Sequence, residues 1–200
     1  MKSVTSLAAS SLLVLGLTAP ACVRAEAVVG KAAPAFSLVD LDGTSHKLSD
    51  YQGKVVVLEW MNPNCPFSRR HSEAKTMTTT ASKHPEAVWL AINSTAQGHP
   101  DYVSPAAYKS FLQKNGIAYT VLYDSSGQVG HAYGADTTPD MFVIDEKGTL
   151  IYAGAIDDDP SGRKHAAQRV NYVDAALSEH AKGEAIAQAT TRSYGCSVKY

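Results

Sequence analysis

The pair Cys65-Pro66, standing a few residues behind the apolar run Val55-Val56-Val57-Leu58-Glu59-Trp60, constrains this chain more than any other feature. Val, Leu and Trp over six residues predict a buried strand. Proline is favoured at the first helical position, so Cys65 is expected at or just before a helix N-terminus. Free N–H groups and the helix dipole there stabilise a thiolate and lower the thiol pKa. The thiolate is the reactive form of cysteine, and a redox role follows. An ordinary buried cysteine is the plain alternative. Arg69, Arg70 and His71 come directly after. Three cations near a helix N-terminus suit an adjoining anion, thiolate or substrate, or else they face solvent.

The remaining cysteines depend on how the chain begins. Residues 1–25 read as a secretory signal peptide: Lys2, an apolar stretch from Leu7 to Leu17, then small residues. The apolar stretch is too short to span a bilayer. Cleavage after Ala25 fits best and leaves Glu26 first. A cut after Ala21 would leave Cys22 first and allow a lipid anchor, although Pro20 is awkward for such processing. Export to the periplasm is the expectation. Loss of Lys2 and Arg24 lowers Lys+Arg from 18 to 16 against 19 Asp+Glu, so the mature chain carries a net charge of −3. No basic patch suggests nucleic acid, and no transmembrane segment is expected after cleavage. The mature chain then holds two cysteines, Cys65 and Cys196, which in an oxidising compartment are normally paired or reactive.

The order of segments predicts an α/β fold. Residues 35–39 and 45–47 flank the Asp42-Gly43 turn as a hairpin. Residues 48–54 form a short helical turn before the 55–60 strand. A helix is expected from Pro66 to about Lys83, a strand over 87–93 and a loop over 94–104. A helix follows from Pro105 to Asn115, then a strand over 120–123. Residues 141–144 and 149–152 make a hairpin around Asp145-Glu146-Lys147-Gly148, and a polar loop covers 157–164. Val170, Val173, Ala176 and Leu177 recur at helical spacing, predicting a helix over 167–182. Alternating strands and helices give a central sheet flanked by helices, which the last hairpin makes mixed. One domain over 26–183 and a C-terminal tail over 184–200 complete the division.

Several motifs are more specific together than alone. They are Leu48 to Lys54, Cys65-Pro66-Phe67, Tyr133-Gly134-Ala135, Thr138-Pro139, Asp145 with Gly148, Gly154 to Asp158, and the ending Tyr194-Gly195-Cys196-Ser197-Val198-Lys199-Tyr200. In this order they resemble the redoxin branch of the thioredoxin superfamily, peroxiredoxin-like proteins with a Cys-Pro-aromatic motif. The resemblance covers about residues 28–200. It implies a thioredoxin-like fold with an N-terminal hairpin, and a cis-proline turn at Thr138-Pro139 that faces the nucleophile and binds extended substrate. It implies Cys65 as nucleophile, Cys196 as a resolving thiol, and Pro66, Ser68 and Arg69 as supports for the thiolate. Partners would be protein thiols and disulfides or a thiol reductant, with a hydroperoxide as a further candidate. No organic cofactor is implied.

The chain also departs from the family pattern. Ser68 stands where a Cys-x-x-Cys motif has its second thiol, and its hydroxyl is a candidate donor to the Cys65 sulfur. Asn62 occupies the position of the peroxidase Thr or Ser, so efficient peroxide reduction is not expected. The residues and the resemblance together point to an exported thiol–disulfide oxidoreductase-like protein. Other readings stay open: a peroxiredoxin-like peroxidase with antioxidant activity, a copper-handling protein, and a non-enzymatic domain stapled by Cys65–Cys196. Such a staple, closing a loop of 131 positions, would stabilise the fold by roughly 4–5 kcal/mol. Copper would draw on Met61 and Cys65, with His99 and His131 on loops. Met61 also reads as core and His131 as a packed loop residue, and no metal site is assigned.

Overall fold

The computed structural model describes residues 27–200. The expected signal peptide and Cys22 lie outside the described residues. The element order is β1 Ser37–Asp40, β2 Ser45–Lys47, β3 Val56–Trp60, α1 Pro66–Glu73, α2 Thr76–Lys83, β4 Val88–Asn93, α3 Pro105–Asn115, β5 Thr120–Tyr123, α4 Gln128–Tyr133, β6 Thr137–Thr138, β7 Asp140–Ile144, β8 Leu150–Gly154, α5 Tyr172–Ala181 and β9 Cys196–Ser197. Seven strands form one sheet in the order β2-β1-β5-β4-β3-β7-β8, and β6 pairs with β9 separately. Strands β3, β4 and β5 are parallel, while β7 runs antiparallel to β3 and β8 antiparallel to β7. This is the mixed, helix-flanked sheet of the thioredoxin fold.

Strand β3 lies inside the sheet, between β4 and β7. All five of its residues are buried, as a strand covered on both faces requires. Successive side chains alternate between faces. Val56, Leu58 and Trp60 join one core with Leu90, Ile92 and Phe142. Val57 joins the opposite core with Met141, Tyr152 and Val173. Met61, just past the strand, packs with Tyr108 and Val121, so its place is in the core. Trp60 Nε1 donates to Ser94 Oγ at 3.0 Å, and Ser94 Oγ donates to Asp124 Oδ2 at 2.8 Å. The same carboxylate oxygen accepts the Gly130 N–H at 2.8 Å. This buried chain of hydrogen bonds sets α4 against the end of the central strands.

Three segments differ from the sequence reading. The single helix expected over 66–83 is two helices. Ala74 N–H closes α1 on Arg70 O at 2.9 Å, and Lys75 takes a left-handed conformation with φ 56°. A non-glycine residue rarely adopts that conformation, so no sequence signal marks the break. The last helix begins five residues later than expected. Asn171 Oδ1 accepts the Asp174 N–H at 3.0 Å and caps α5, while Asp158 Oδ1 holds the Val170 N–H at 3.0 Å outside it. Val170 is therefore exposed rather than part of the buried helix face. Helix α4 was not expected at all.

The segment after α5 is tied along the sheet edge. Thr190 bridges to Ala153, Ala153 N–H reaches Ala189 O at 3.1 Å, and Thr191 N–H reaches Ala153 O at 3.0 Å. Thr191 Oγ1 accepts the Ala155 N–H at 2.9 Å. Gly154 makes this approach possible: its φ is +138°, and a Cβ there would lie 2.2 Å from Thr191 O. Among the described residues no helix is long and apolar enough to cross a membrane. Replacing Gly154 with Ala should cost about 1–3 kcal/mol through forced overpacking against backbone. Urea unfolding should show the lowered midpoint; an unchanged midpoint would mean that the 189–191 segment is not seated on this edge.

Candidate functional site

Cys65 sits at the N-cap of α1 with Pro66 at the first helical position. The turn before it is built by Asn62. Asn62 Oδ1 accepts the Asn64 N–H at 2.7 Å, and Nδ2 donates to Thr95 Oγ1 at 2.8 Å and Asp101 O at 3.1 Å. Cys65 N–H closes on Asn62 O at 3.0 Å. The amide of Asn62 is thus committed to loop geometry, where the peroxidase pattern has an aligning hydroxyl. Cys65 itself is 4% exposed.

Opposite the sulfur lies the Thr138-Pro139 turn, whose peptide bond is cis. As a thiol, Cys65 Sγ donates to Thr138 O at 2.9 Å. Strands β6 and β9 then place Thr138 directly across from Cys196, and Thr137 across from Ser197. Val198 N–H donates to Asp136 O at 2.9 Å, extending the ladder. Cys196 thereby borders the same hollow as Cys65 and acts on it electrostatically, and both cysteines are free. Gly195 permits this approach: its φ is +151°, and a Cβ there would lie 2.1 Å from Thr138 O. A polar hollow of about 30 Å³ opens beside the sulfurs, lined by Asn62, Asn64, Thr95, Asp101 and Lys199 among others.

The two thiols differ electrostatically. Burial works against ionisation of Cys65, but the polar groups around it, the Cys196 thiol, Thr138 and the Ser68 and Cys196 backbone, outweigh it. The Thr138 carbonyl contact favours the neutral thiol, yet it is one acceptor against several donors. Cys65 is therefore held below its ordinary value. Burial and the neighbouring Cys65 push Cys196 up to about 11. Cys65 is the partner that ionises, and Cys196 is the one that keeps its proton.

The expected thiolate supports are placed as follows. Pro66 opens the helix. Ser68 contributes its backbone N–H rather than its hydroxyl, since Ser68 Oγ is buried without a partner. Arg69 donates from Nε and Nη2 to Pro63 O at 3.4 and 3.3 Å, bracing the loop instead of facing the sulfur as a partner. Arg70 and His71 do not gather around an anion at Cys65 either. Arg70 donates to Asp159 O at 2.9 Å and Pro160 O at 3.1 Å, and its guanidinium lies 5.8 Å from both the Phe67 and the Tyr194 ring centroids. His71 is 3.0 Å from the Tyr194 hydroxyl, and burial lowers its pKa to about 4, leaving it neutral at pH 7. The Tyr194 hydroxyl also donates to Asp157. Arg70 and His71 thus anchor the segment that carries Cys196 through Tyr194.

For copper the geometry gives little. Met61 is buried core, His131 stacks on Tyr200, and His99 Nδ1 accepts the Asp101 N–H at 3.0 Å. Among the described residues no group of three or more His, Cys, Asp or Glu side chains could hold a metal ion.

Two buried carboxyls had no sequence signal of their own. Glu59, on β3, accepts a hydrogen bond from the Tyr119 hydroxyl at 2.6 Å, and burial raises its pKa to about 7 despite that bond. Asp140, next after the cis proline, is raised to about 7 by burial, against hydrogen bonds from Asp136, Ser193 and Met141.

A cysteine at a helix N-terminus beneath a cis-proline turn, on a mixed four-plus-three sheet, defines a redoxin of the thioredoxin superfamily. The chain belongs to the AhpC/TSA family, whose profile matches residues 29–153. That match ends before the segment bearing Cys196. Thiol-disulfide oxidoreductase ResA of Geobacillus kaustophilus (strain HTA426) is 31% identical over 122 residues, covering 61% of this chain. The chain spans 66% of the length of that relative. Soluble secreted antigen MPT53 of Mycobacterium bovis is 26% identical over 166 residues, which are 80% of this chain and 88% of that one. Among solved structures, an uncharacterized conserved protein of Geobacillus kaustophilus aligns with a TM-score of 0.76 and 26% identity, over 86% of this chain and 92% of the other.

The carboxyl Glu59 sets a pH dependence of stability. Unfolded, it loses its proton near its ordinary 4.5; folded, near 7. Between those values the native state binds more protons, so its contribution to stability falls as pH rises and levels off above about 7. Glu59→Gln removes that loss, so the variant should gain on the order of 2–3 kcal/mol relative to the parent between pH 4.5 and 8. His71 acts in the opposite sense between about 4 and 6.5, which is why the comparison is between variant and parent at each pH. Denaturant titrations across that range check it; a difference that stays constant with pH would contradict the assignment.

Proposed function

We propose that the protein is an exported thiol–disulfide oxidoreductase in which Cys65 is the nucleophile and Cys196 resolves the mixed disulfide. The observation that carries this reading is the pairing of Cys196 with Thr138, the residue whose carbonyl accepts from Cys65 Sγ, so that both cysteines line one hollow. The name of the ResA relative supports the activity, and the name of the secreted MPT53 relative supports export. The periplasm is the compartment that fits the leader read from residues 1–25.

The chemistry proceeds by two exchanges. The Cys65 thiolate attacks one sulfur of a partner disulfide; that S–S bond breaks, and the other partner sulfur leaves with the electron pair and takes a proton. Cys196 then loses its proton and attacks the Cys65 sulfur of the mixed disulfide. The second partner thiol is released and Cys65–Cys196 forms. The partner disulfide is reduced, the protein is oxidised, and a thiol reductant resets it. Thr138 and Pro139 present the backbone edge along which a partner strand lies. The helix N-terminus and the Ser68 N–H hold the Cys65 thiolate between cycles.

Iodoacetamide alkylation against pH tests the nucleophile. Cys65 should alkylate with a midpoint below the free-thiol value of about 8.5, and Cys65→Ser should abolish reduction of a protein disulfide. Cys196→Ser should leave the first exchange but trap the mixed disulfide, cutting turnover by about 10²-fold or more, since the second exchange has lost its intramolecular thiol. A Cys65 that resists alkylation up to pH 9 in the reduced, folded protein would refute the reading.

A further inference from the structure

The edge that would receive a partner is filled by the chain itself. Residues 195–200 run along β6 and beyond, and their attachments differ from those of residues 189–194. The earlier stretch is fixed by the Gly154–Thr191 contact and by Tyr194 among Arg70, His71 and Asp157. Past Gly195 the segment is held by a two-residue strand, by the Val198 N–H on Asp136 O, and by the Ala96 N–H on Lys199 O at 2.7 Å. Val198 packs against the core around Val56, Leu58 and Trp60, and the segment ends in a second side-chain anchor, Tyr200. The Tyr200 ring stacks on His131 with centroids 3.9 Å apart, and its hydroxyl donates to Ala135 O at 2.5 Å. The notch beneath the ring exists because residues 127 and 130 are glycines. A Cβ at Gly127 would lie 2.6 Å from the ring, and a Cβ at Gly130 2.5 Å from it.

This strap closes the site to large partners. Cys65 is 4% exposed, and the hollow beside it, about 30 Å³, has room for about one water and for no peptide. A partner disulfide on a polypeptide needs the Thr137–Thr138 edge, and Ser197 and Cys196 already occupy it. Tyr200 is 39% exposed, so its anchor sits at the rim, and its release exposes little beyond the half-buried Val198.

We infer that Tyr200 is a latch that governs access of polypeptide disulfides to Cys65: it seats residues 195–200 as an internal strand on the substrate edge, and partner peptides compete for that edge by displacing it. The inference rests on the proposed role of Cys65 and adds a specificity-determining residue to it. The occupant that fits the edge is an extended peptide with a cysteine opposite Thr138, a small residue before that cysteine, and an aromatic residue four positions after it to fill the Gly127–Gly130 notch. The chain's own Gly195 to Tyr200 has that pattern. The apparent rate for such a peptide scales with the fraction of molecules whose strap is open.

The full-length chain carrying Cys196→Ser provides the test, because a peptide joined to Cys65 then stays joined. The probe is the hexapeptide Gly-Cys-Ser-Val-Lys-Tyr as its mixed disulfide with thionitrobenzoate. Attack by Cys65 forms the Cys65–peptide bond and releases coloured thionitrobenzoate. Dithiodipyridine, which reaches the sulfur through a small local opening and has no backbone to pair along the Thr137–Thr138 edge, serves as the reference. Adding Tyr200→Ala should raise the peptide rate relative to the dithiodipyridine rate by about tenfold or more, in proportion to the opened fraction. Tyr200→Phe, which keeps the stacked ring, should stay nearer the parent. In the Tyr200→Ala background, changing the peptide's tyrosine to alanine should slow transfer. A peptide-to-reference ratio unmoved by Tyr200→Ala, with Cys65 still reacting readily with dithiodipyridine, overturns the latch alone. A Cys65 that fails to react with dithiodipyridine in both backgrounds overturns the nucleophile and the latch together.

Discussion

The pairing of Thr138 with Cys196 across two short strands is the contact on which the site depends. Cys65 on its own is a buried thiol, and burial disfavours its ionised form. The pairing adds the Cys196 thiol and a backbone N–H to the N–H of Ser68 at the helix start, and their sum outweighs the burial penalty. The same contact leaves Cys196 high, near 11. Two chemically identical side chains are thereby separated into one that ionises and one that holds a proton. In the proposed exchange that asymmetry sets the order, with Cys65 attacking first and Cys196 following.

The pairing is supported from a distance. Gly195 allows backbone to lie against the carbonyl of Thr138. Tyr194, two residues before Cys196, is gripped by Arg70, His71 and Asp157, so the helix that carries Cys65 also fixes the approach of Cys196. Gly154 lets the 189–191 stretch lie on the sheet edge. On the other side, the Trp60–Ser94–Asp124–Gly130 hydrogen bonds hold α4 where its glycines receive Tyr200. Strand β3 therefore positions both Cys65 and, through α4, the notch that takes Tyr200.

Much of this was legible in the residues. The apolar β3 run, Pro66 and Pro105 at first helical positions, and the turn glycines gave the α/β order, because each is a local signal with a local cause. The cis peptide at Thr138-Pro139 and the meeting of Cys65 with Cys196 came from resemblance to a family, since no local pattern encodes a contact 131 positions long. What could not be read were features decided by tertiary contact. The break at Lys75 has no glycine to announce it. Arg69, Arg70 and His71 look alike as a basic run, yet they face a loop carbonyl, a second loop and a buried hydroxyl respectively. Burial, not sequence, raises Glu59 and Asp140. Tyr200 stood out only as part of the closing motif, because its notch is made by glycines seventy residues earlier in the chain.

The most direct test of the central claim is peptide mapping of the full-length protein by mass spectrometry after mild oxidation at low concentration, followed by digestion without reduction. The account predicts one linked pair of peptides carrying Cys65 and Cys196 within a single chain, released by a mild thiol reductant. Finding Cys65 only in intermolecular or mixed disulfides, with Cys196 still a free thiol, would contradict it.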